Sequence, residues 1–192
     1  KLGETDFGGK SSKVSIMVNG EALESTTTTL TKRTEVTVTY EGVGYDFVGW
    51  YNGQYNEINR EGENASEKVS DQVSYTFEIS KDTVLTAVRD IKSYDVTYEG
   101  FYDDGTSVVD LERETLEYNQ PLSMLTPKAG GVQSGWYEMV EGVAGPTTTV
   151  ANFANSGEVS VSPAWANQME VVFYKNGEVI ERARLFEEQV AS

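Results

Sequence analysis

Apolar and polar residues alternate along this chain in short runs, separated by glycine, asparagine and aspartate. Val14-Ser15-Ile16-Met17-Val18 alternates with Met17 as its one impurity, then meets Asn19-Gly20. Alternation at period two puts one set of side chains on each face of a strand. An Asn-Gly pair supplies the two positive-φ positions of a type I′ hairpin. Glu35-Val36-Thr37-Val38-Thr39-Tyr40 follows, with Val36, Val38 and Tyr40 predicted to face a core and Thr37 and Thr39 to face water. The Thr26–Thr29 run fits a strand face better than an O-glycosylated stalk. Val73 to Ile79 is the most regular run, four apolar residues alternating with three polar ones. Lys81-Asp82 turns it, and Val84 to Val88 returns as a strand. Between these lies Gly44-Tyr45-Asp46-Phe47-Val48-Gly49-Trp50-Tyr51, then the turn pair Asn52-Gly53. Glu57 to Asp71 is polar without a period and is read as a loop.

A second series starts at Tyr94, with Val96, Tyr98, Phe101 and Tyr102 ahead of the turn Asp103-Asp104-Gly105. Val108-Val109 is expected to open the returning strand. Pro121 and Pro127 bracket Leu122–Leu125 and exclude a long helix there. Gly130-Gly131 leads into Gly135-Trp136-Tyr137. Gly142, Gly145 and Pro146 mark a loop, and Val159 to Trp165 alternates again. A third start, Val171 to Gly177, repeats the aromatic-then-turn order. Helix propensity alone favours a helix over Glu178–Gln189; by analogy with the second series, strand is preferred.

The turns at Asn19-Gly20, Asp104-Gly105 and Asn176-Gly177 align, and Phe101-Tyr102 matches Phe173-Tyr174. From Gly20 to Gly105 is 85 positions, and from Trp50 to Trp136 is 86. Two independent landmarks therefore report nearly one period, the mark of an internal repeat. From Gly105 to Gly177 is 72, so the second unit is shorter. The predicted organisation is an arm or linker over 1–12, repeat domains over 13–92 and 93–167, and a partial third repeat, a hairpin, over 168–192. The fold class is mostly β, in tandem small domains.

The order of strand, Asn-Gly turn, strand, Gly-Tyr-x-Phe-x-Gly-Trp-Tyr, polar loop, Tyr-Thr-Phe-x-Ile and a Val-Leu-Thr-Ala strand resembles the internalin B-type repeat. This is also called the Listeria–Bacteroides repeat, here in a divergent form. The first unit carries it on Gly44, Tyr45, Phe47, Gly49, Trp50, Tyr51, Tyr75, Phe77 and the Val84–Val88 strand. In the second, Gly131 and Gln133 stand where Tyr45 and Phe47 do, so two core aromatics are replaced. The resemblance implies small β-grasp-like modules, arrayed on secreted or wall-anchored bacterial proteins as spacers, adhesive or coreceptor-binding elements. It implies no catalytic residues, so no family site carries over.

Composition narrows the chemistry. The chain has 192 residues and a net charge of −16, which disfavours nucleic acid and anionic membrane surfaces. It has no cysteine and no histidine, which removes disulfides, thiolate sites, histidine bases and almost all zinc or haem sites. No run is long and apolar enough for a membrane helix. Lys1–Lys10 is polar, so either the chain is cytosolic or an export signal is removed ahead of this numbering. Asp103 to Ser107 could ligate calcium but lacks the spaced acids of an EF-hand, and a turn is the better reading. Pairs among Glu112, Glu114 and Glu117, or Glu187-Glu188, are too common in so acidic a chain to signal a glycosidase. Asn64-Ala65-Ser66 is a sequon that arises often by chance, and no lysine is singled out for an isopeptide bond.

The aromatics remain. Trp50, Tyr51, Tyr55, Trp136 and Tyr137 are either anchors of small cores, which need large rings, or an exposed platform for sugar rings. The expected function is a non-enzymatic surface module, a spacer or adhesive element. It is expected to be a monomeric segment of a longer extracellular or wall-anchored chain, with a host protein or a glycan as partner and no cofactor or metal. The alternative is a carbohydrate-binding module using those exposed rings.

Overall fold

The computed structural model describes residues 3–5, 11–31, 35–140 and 143–186. The chain divides into two compact units, Lys1–Ile91 and Lys92–Ser192. Strand is the dominant element; the helical content among the described residues is a single 3-10 turn at Tyr55–Glu57.

In the first unit β1 is Gly3–Thr5, β2 Ser11–Val18, β3 Glu21–Thr31, β4 Glu35–Thr39, β5 Tyr45–Asn52, β6 Lys68–Ser70, β7 Ser74–Glu78 and β8 Thr83–Ile91. Five of them form one sheet in the order β3-β2-β8-β5-β6, with β2 and β8 parallel and the other pairs antiparallel. The remaining three form a small antiparallel sheet, β1-β4-β7. The expected alternation explains how the sheets meet. Val14, Ile16 and Val18 of β2 and Val36 and Val38 of β4 are buried, joined by Trp50, Ile79, Leu85 and Ala87. One apolar face from each sheet thus closes a two-layer core, the usual way for a sheet to hide its apolar side.

In the second unit β9 is Ser93–Tyr98, β10 Glu114–Glu117, β11 Gln133–Val140, β12 Val143–Thr148, β13 Gly157–Trp165, β14 Gln168–Lys175 and β15 Glu178–Phe186. Five again form one sheet, β10-β9-β13-β11-β12, with β9 and β13 parallel. The order and directions match the first sheet strand for strand: hairpin return, first strand, last strand, Gly-Trp strand, edge strand. What covers the sheet differs. Tyr94, Val96, Tyr98, Trp136 and Val161 are capped by Val109, Leu122, Leu125, Ala151 and Phe153, all on segments outside the strands. These segments satisfy their backbone groups on one another, through Leu122 N–H to Thr149 O and Ala151 N–H to Gln120 O among others. The strands β14 and β15 pair only with each other among the described residues.

Several boundaries differ from the expected ones. Part of the N-terminal arm is strand β1, paired with β4, and Ser11 and Ser12 already belong to β2. The 57–71 loop contains the short edge strand β6. Val73 is exposed, because the strand begins only at Ser74, while Tyr75 and Phe77 are half-buried and stacked at 5.4 Å. The return from β9 starts at Glu114, after a connection over 99–113, and not at Val108, which makes only an isolated bridge to Phe101. Gly145 and Pro146 lie within β12, not in a loop; Gly142 is outside the described residues. Proline fits there because β12 is the outermost strand, and the pairing with β11 shifts beside it. The residues 178–186 are strand, as preferred.

Asn19 and Gly20 have φ of 43° and 87°, and Asn176 and Gly177 of 53° and 86°. Both pairs therefore make the two-residue, positive-φ hairpin turn. At Asp103-Asp104-Gly105 only Gly105 is positive, at 71°, so the aligned turn of the second unit is of another kind. Asn19 does more than turn the chain. Its Nδ2 donates to Arg89 O at 2.8 Å and its Oδ1 accepts Arg89 N–H at 2.9 Å, stitching the first hairpin to β8. Asn176 makes no such bond among the described residues. Both asparagines accept a left-handed backbone that alanine takes up poorly, so the difference between two variants isolates the stitch. Asn19→Ala is expected to lose about 2 kcal/mol more than Asn176→Ala, at about 1 kcal/mol for each hydrogen bond. Urea unfolding of the two variants measures it.

Candidate functional site

The two Gly-Trp corners are built alike. Each glycine sits at an irregularity in the pairing with the last strand of its sheet, between Phe47 and Gly49 in one unit and between Gln133 and Gly135 in the other. Gly49 has φ +152° and Gly135 +151°, a region that side chains rarely adopt. Space forbids a side chain as well. A Cβ on Gly49 would stand 2.9 Å from Ser70 O, and one on Gly135 2.6 Å from Thr148 O. The bulge turns the next residue inward, and Trp50 and Trp136 are both fully buried. Each indole N–H then needs a partner. Trp50 donates to Val73 O at 3.3 Å, and Trp136 to Ser123 O at 2.9 Å.

The rings around the two indoles differ. Phe47 stacks on Tyr40 at 5.1 Å and meets Trp50 edge-on at 5.8 Å. In the second unit Tyr98 meets Trp136 at 4.7 Å. Gln133, which replaces Phe47, works as a polar clip: its Oε1 accepts Leu125 N–H at 2.7 Å and its Nε2 donates to Gly135 O at 3.1 Å. Gly131, which replaces Tyr45, lies against Asp103, where a Cβ would come within 2.1 Å of Oδ2.

Of the five candidate aromatics, then, Trp50, Trp136 and Tyr51 are inside. Tyr55 and Tyr137 are partly exposed and belong to separate units. Tyr55 packs over the first hairpin turn, 3.4 Å from the Cβ position of Gly20. A buried indole offers no face to a sugar ring. The carboxylates are dispersed also. Glu114 accepts the Tyr98 hydroxyl at 2.5 Å and the Ser123 hydroxyl. Burial, then the bond to Glu114, raises the Tyr98 phenol well above its ordinary value. Glu112 and Glu117 are exposed, and Glu187-Glu188 lie outside the described residues. No three His, Cys, Asp or Glu side chains come together to hold a metal among the described residues.

A groove of about 600 Å³ lies within the second unit, walled by Phe101, Tyr102, Pro163 and Trp165, with Asp103 and Asp104 beside them. Sequence reasoning missed it because its walls come from residues 100–105 and 162–168, which β9 and β13 bring together. The one signal in the sequence is Phe101-Tyr102, two adjacent rings just ahead of the turn. Asp103 is 3% exposed; its carboxylate accepts Lys128 N–H at 3.0 Å and Gly131 N–H at 2.5 Å, tying the far loop to the turn. Asp104 accepts Ser107 N–H at 2.8 Å and Thr106 N–H at 2.9 Å, with both hydroxyls adding bonds. These donors, Ser107 N–H first, lower its pKa from 3.8 to about 2. Both carboxylates thus act as acceptors for backbone N–H groups, Asp104 within its own turn and Asp103 on the 128–131 loop. Lys128 Nζ lies 3.7 Å from the centre of the Tyr102 ring.

Compared with known protein families and with curated proteins, the chain matches no family model and no curated sequence.

Two outcomes follow from this geometry. Acrylamide should quench Trp165, which is partly exposed, and leave Trp50 and Trp136 shielded. Trp165→Phe should therefore remove the quenchable share of the emission, and Stern–Volmer plots of both proteins check this. Asp104 has its pKa depressed on folding, so its contribution is complete above the ordinary aspartate range and is lost as pH falls toward 2. Asp104→Asn should be less stable than the parent at pH 7, and the gap should close near pH 2. Thermal unfolding of both at the two pH values decides it.

Proposed function

We propose that the chain comprises two non-catalytic modules of the internalin B-type repeat, each of β-grasp type, serving as a spacer or interaction segment of a secreted or wall-anchored bacterial surface protein. The observation that carries the reading is the Gly-Trp corner. It stands on the same strand of two five-stranded sheets whose order and directions agree. An order of second, first, last, third, fourth, with first and last parallel in both sheets, supports two modules of one kind. The hairpin of β14 and β15 supports a third start, since it repeats the Asn-Gly turn of β2 and β3 and their first two register pairs. A non-enzymatic role is supported by the absence of histidine and cysteine and by the use of Glu114, Asp103 and Asp104 as structural acceptors. No helix among the described residues is long and apolar enough to cross a membrane. A sugar-binding role for Trp50 and Trp136 has no exposed indole to work with.

Two modules with separate cores should fold separately. Fragments covering residues 1–91 and 92–192 are each expected to unfold cooperatively, at midpoints close to the two transitions of the whole chain. Far-UV circular dichroism under urea tests this. Fragments that both remain unfolded would remove the two-module reading.

A further inference from the structure

We propose that the groove beside the 101–107 turn binds a cationic side chain, the guanidinium or ammonium group of a basic segment on a partner protein. This rests on the reading of the chain as an interaction module, and it names the chemistry that the second unit takes. The walls supply ring faces. Phe101 is 54% exposed, with Tyr102 and Trp165 beside it. A ring face is electron-rich and attracts a cation held within about 6 Å of its centre. The fold already uses one ring so, with Lys128 Nζ at 3.7 Å over Tyr102. Asp103 and Asp104 supply charge. Their N–H donors hold them in place without cancelling it, and neither forms an ion pair among the described residues. The net charge of −16 adds long-range attraction for a basic partner and repels an anionic one. A neutral sugar would meet the same rings and acceptors but would gain nothing from the net charge, so the salt dependence of binding separates the two.

The test uses the whole chain and acetyl-tetra-arginine amide as probe, with its citrulline counterpart as the neutral isostere. Calorimetry at low salt should show saturable binding, and amide shift mapping should confine it to residues 100–105 and 162–168. Phe101→Leu keeps the apolar volume and removes the ring; it should weaken binding about tenfold. Asp104→Asn keeps an acceptor for the turn and removes the charge; it should weaken binding too and steepen no salt dependence. The citrulline peptide and a neutral oligosaccharide should not bind. The proposal is overturned if the arginine peptide fails to bind, if both variants bind it as the parent does, or if either neutral probe occupies the groove. Such a failure leaves the fragment experiment untouched, so the two readings fail separately.

Discussion

Each unit depends on one contact: an indole ring driven into the core by a glycine bulge, with its N–H bonded to a backbone carbonyl. A domain of this size has little interior, and a single tryptophan supplies a large part of it. The ring cannot enter unless the strand turns one residue out of phase, and the phase change needs a glycine because the neighbouring edge strand runs against that position. The indole N–H cannot stay buried without an acceptor. Val73 O and Ser123 O meet that need from segments that lie over the sheet. The corner therefore couples three things: the bulge, the core and the covering layer.

The covering layer is where the units part. The first covers its sheet with β4 and β7, whose own alternation supplies Val36 and Val38. The second covers its sheet with irregular segments pinned by side chains. Gln133 holds Leu125, Asp103 holds Lys128 and Gly131, and Glu114 holds Tyr98 and Ser123. Buried polar groups of this sort are tolerable only when every member has a partner. Tyr45, expected in the core, lies against Arg89 at 3.8 Å and not in the core cluster, so the core ring without a counterpart is Phe47; Gln133 clips the chain at that position, and Tyr98 packs against Trp136.

The strands that face the core were legible because a half-buried strand writes its burial into period two. Val14 to Val18, Glu35 to Tyr40 and Val159 to Trp165 are examples, and the Asn-Gly turns at 19 and 176 announced their own geometry. Elements with little apolar content left no such mark. β1 and β6 are three-residue strands held by backbone bonds to β4 and β5, and β12 is an outer strand whose Gly145 and Pro146 read as a loop. Val73 shows the opposite error, an apolar residue in phase but beyond the strand's end. The aromatic corner was legible as a repeated motif, yet its burial was open, because tryptophan serves cores and platforms alike. The groove was illegible, since no local pattern says that residues 100–105 and 162–168 share a surface.

The groove follows from loop length on a fixed frame. In the first unit two residues, Asn19 and Gly20, join β2 to β3, and Asn19 is sewn to β8. At the same place in the second unit the connection spans 99–113, long enough to carry Phe101 and Tyr102 together with Asp103 and Asp104. Such a loop needs internal bonds to hold a shape, and Asp104 provides them by taking the N–H groups of Thr106 and Ser107. Sheet order and corner fix where the strand ends stand, so a longer connection there gains a surface without disturbing the core. Phe101 faces outward on that loop, while the ring that the two units have in common is sealed inside.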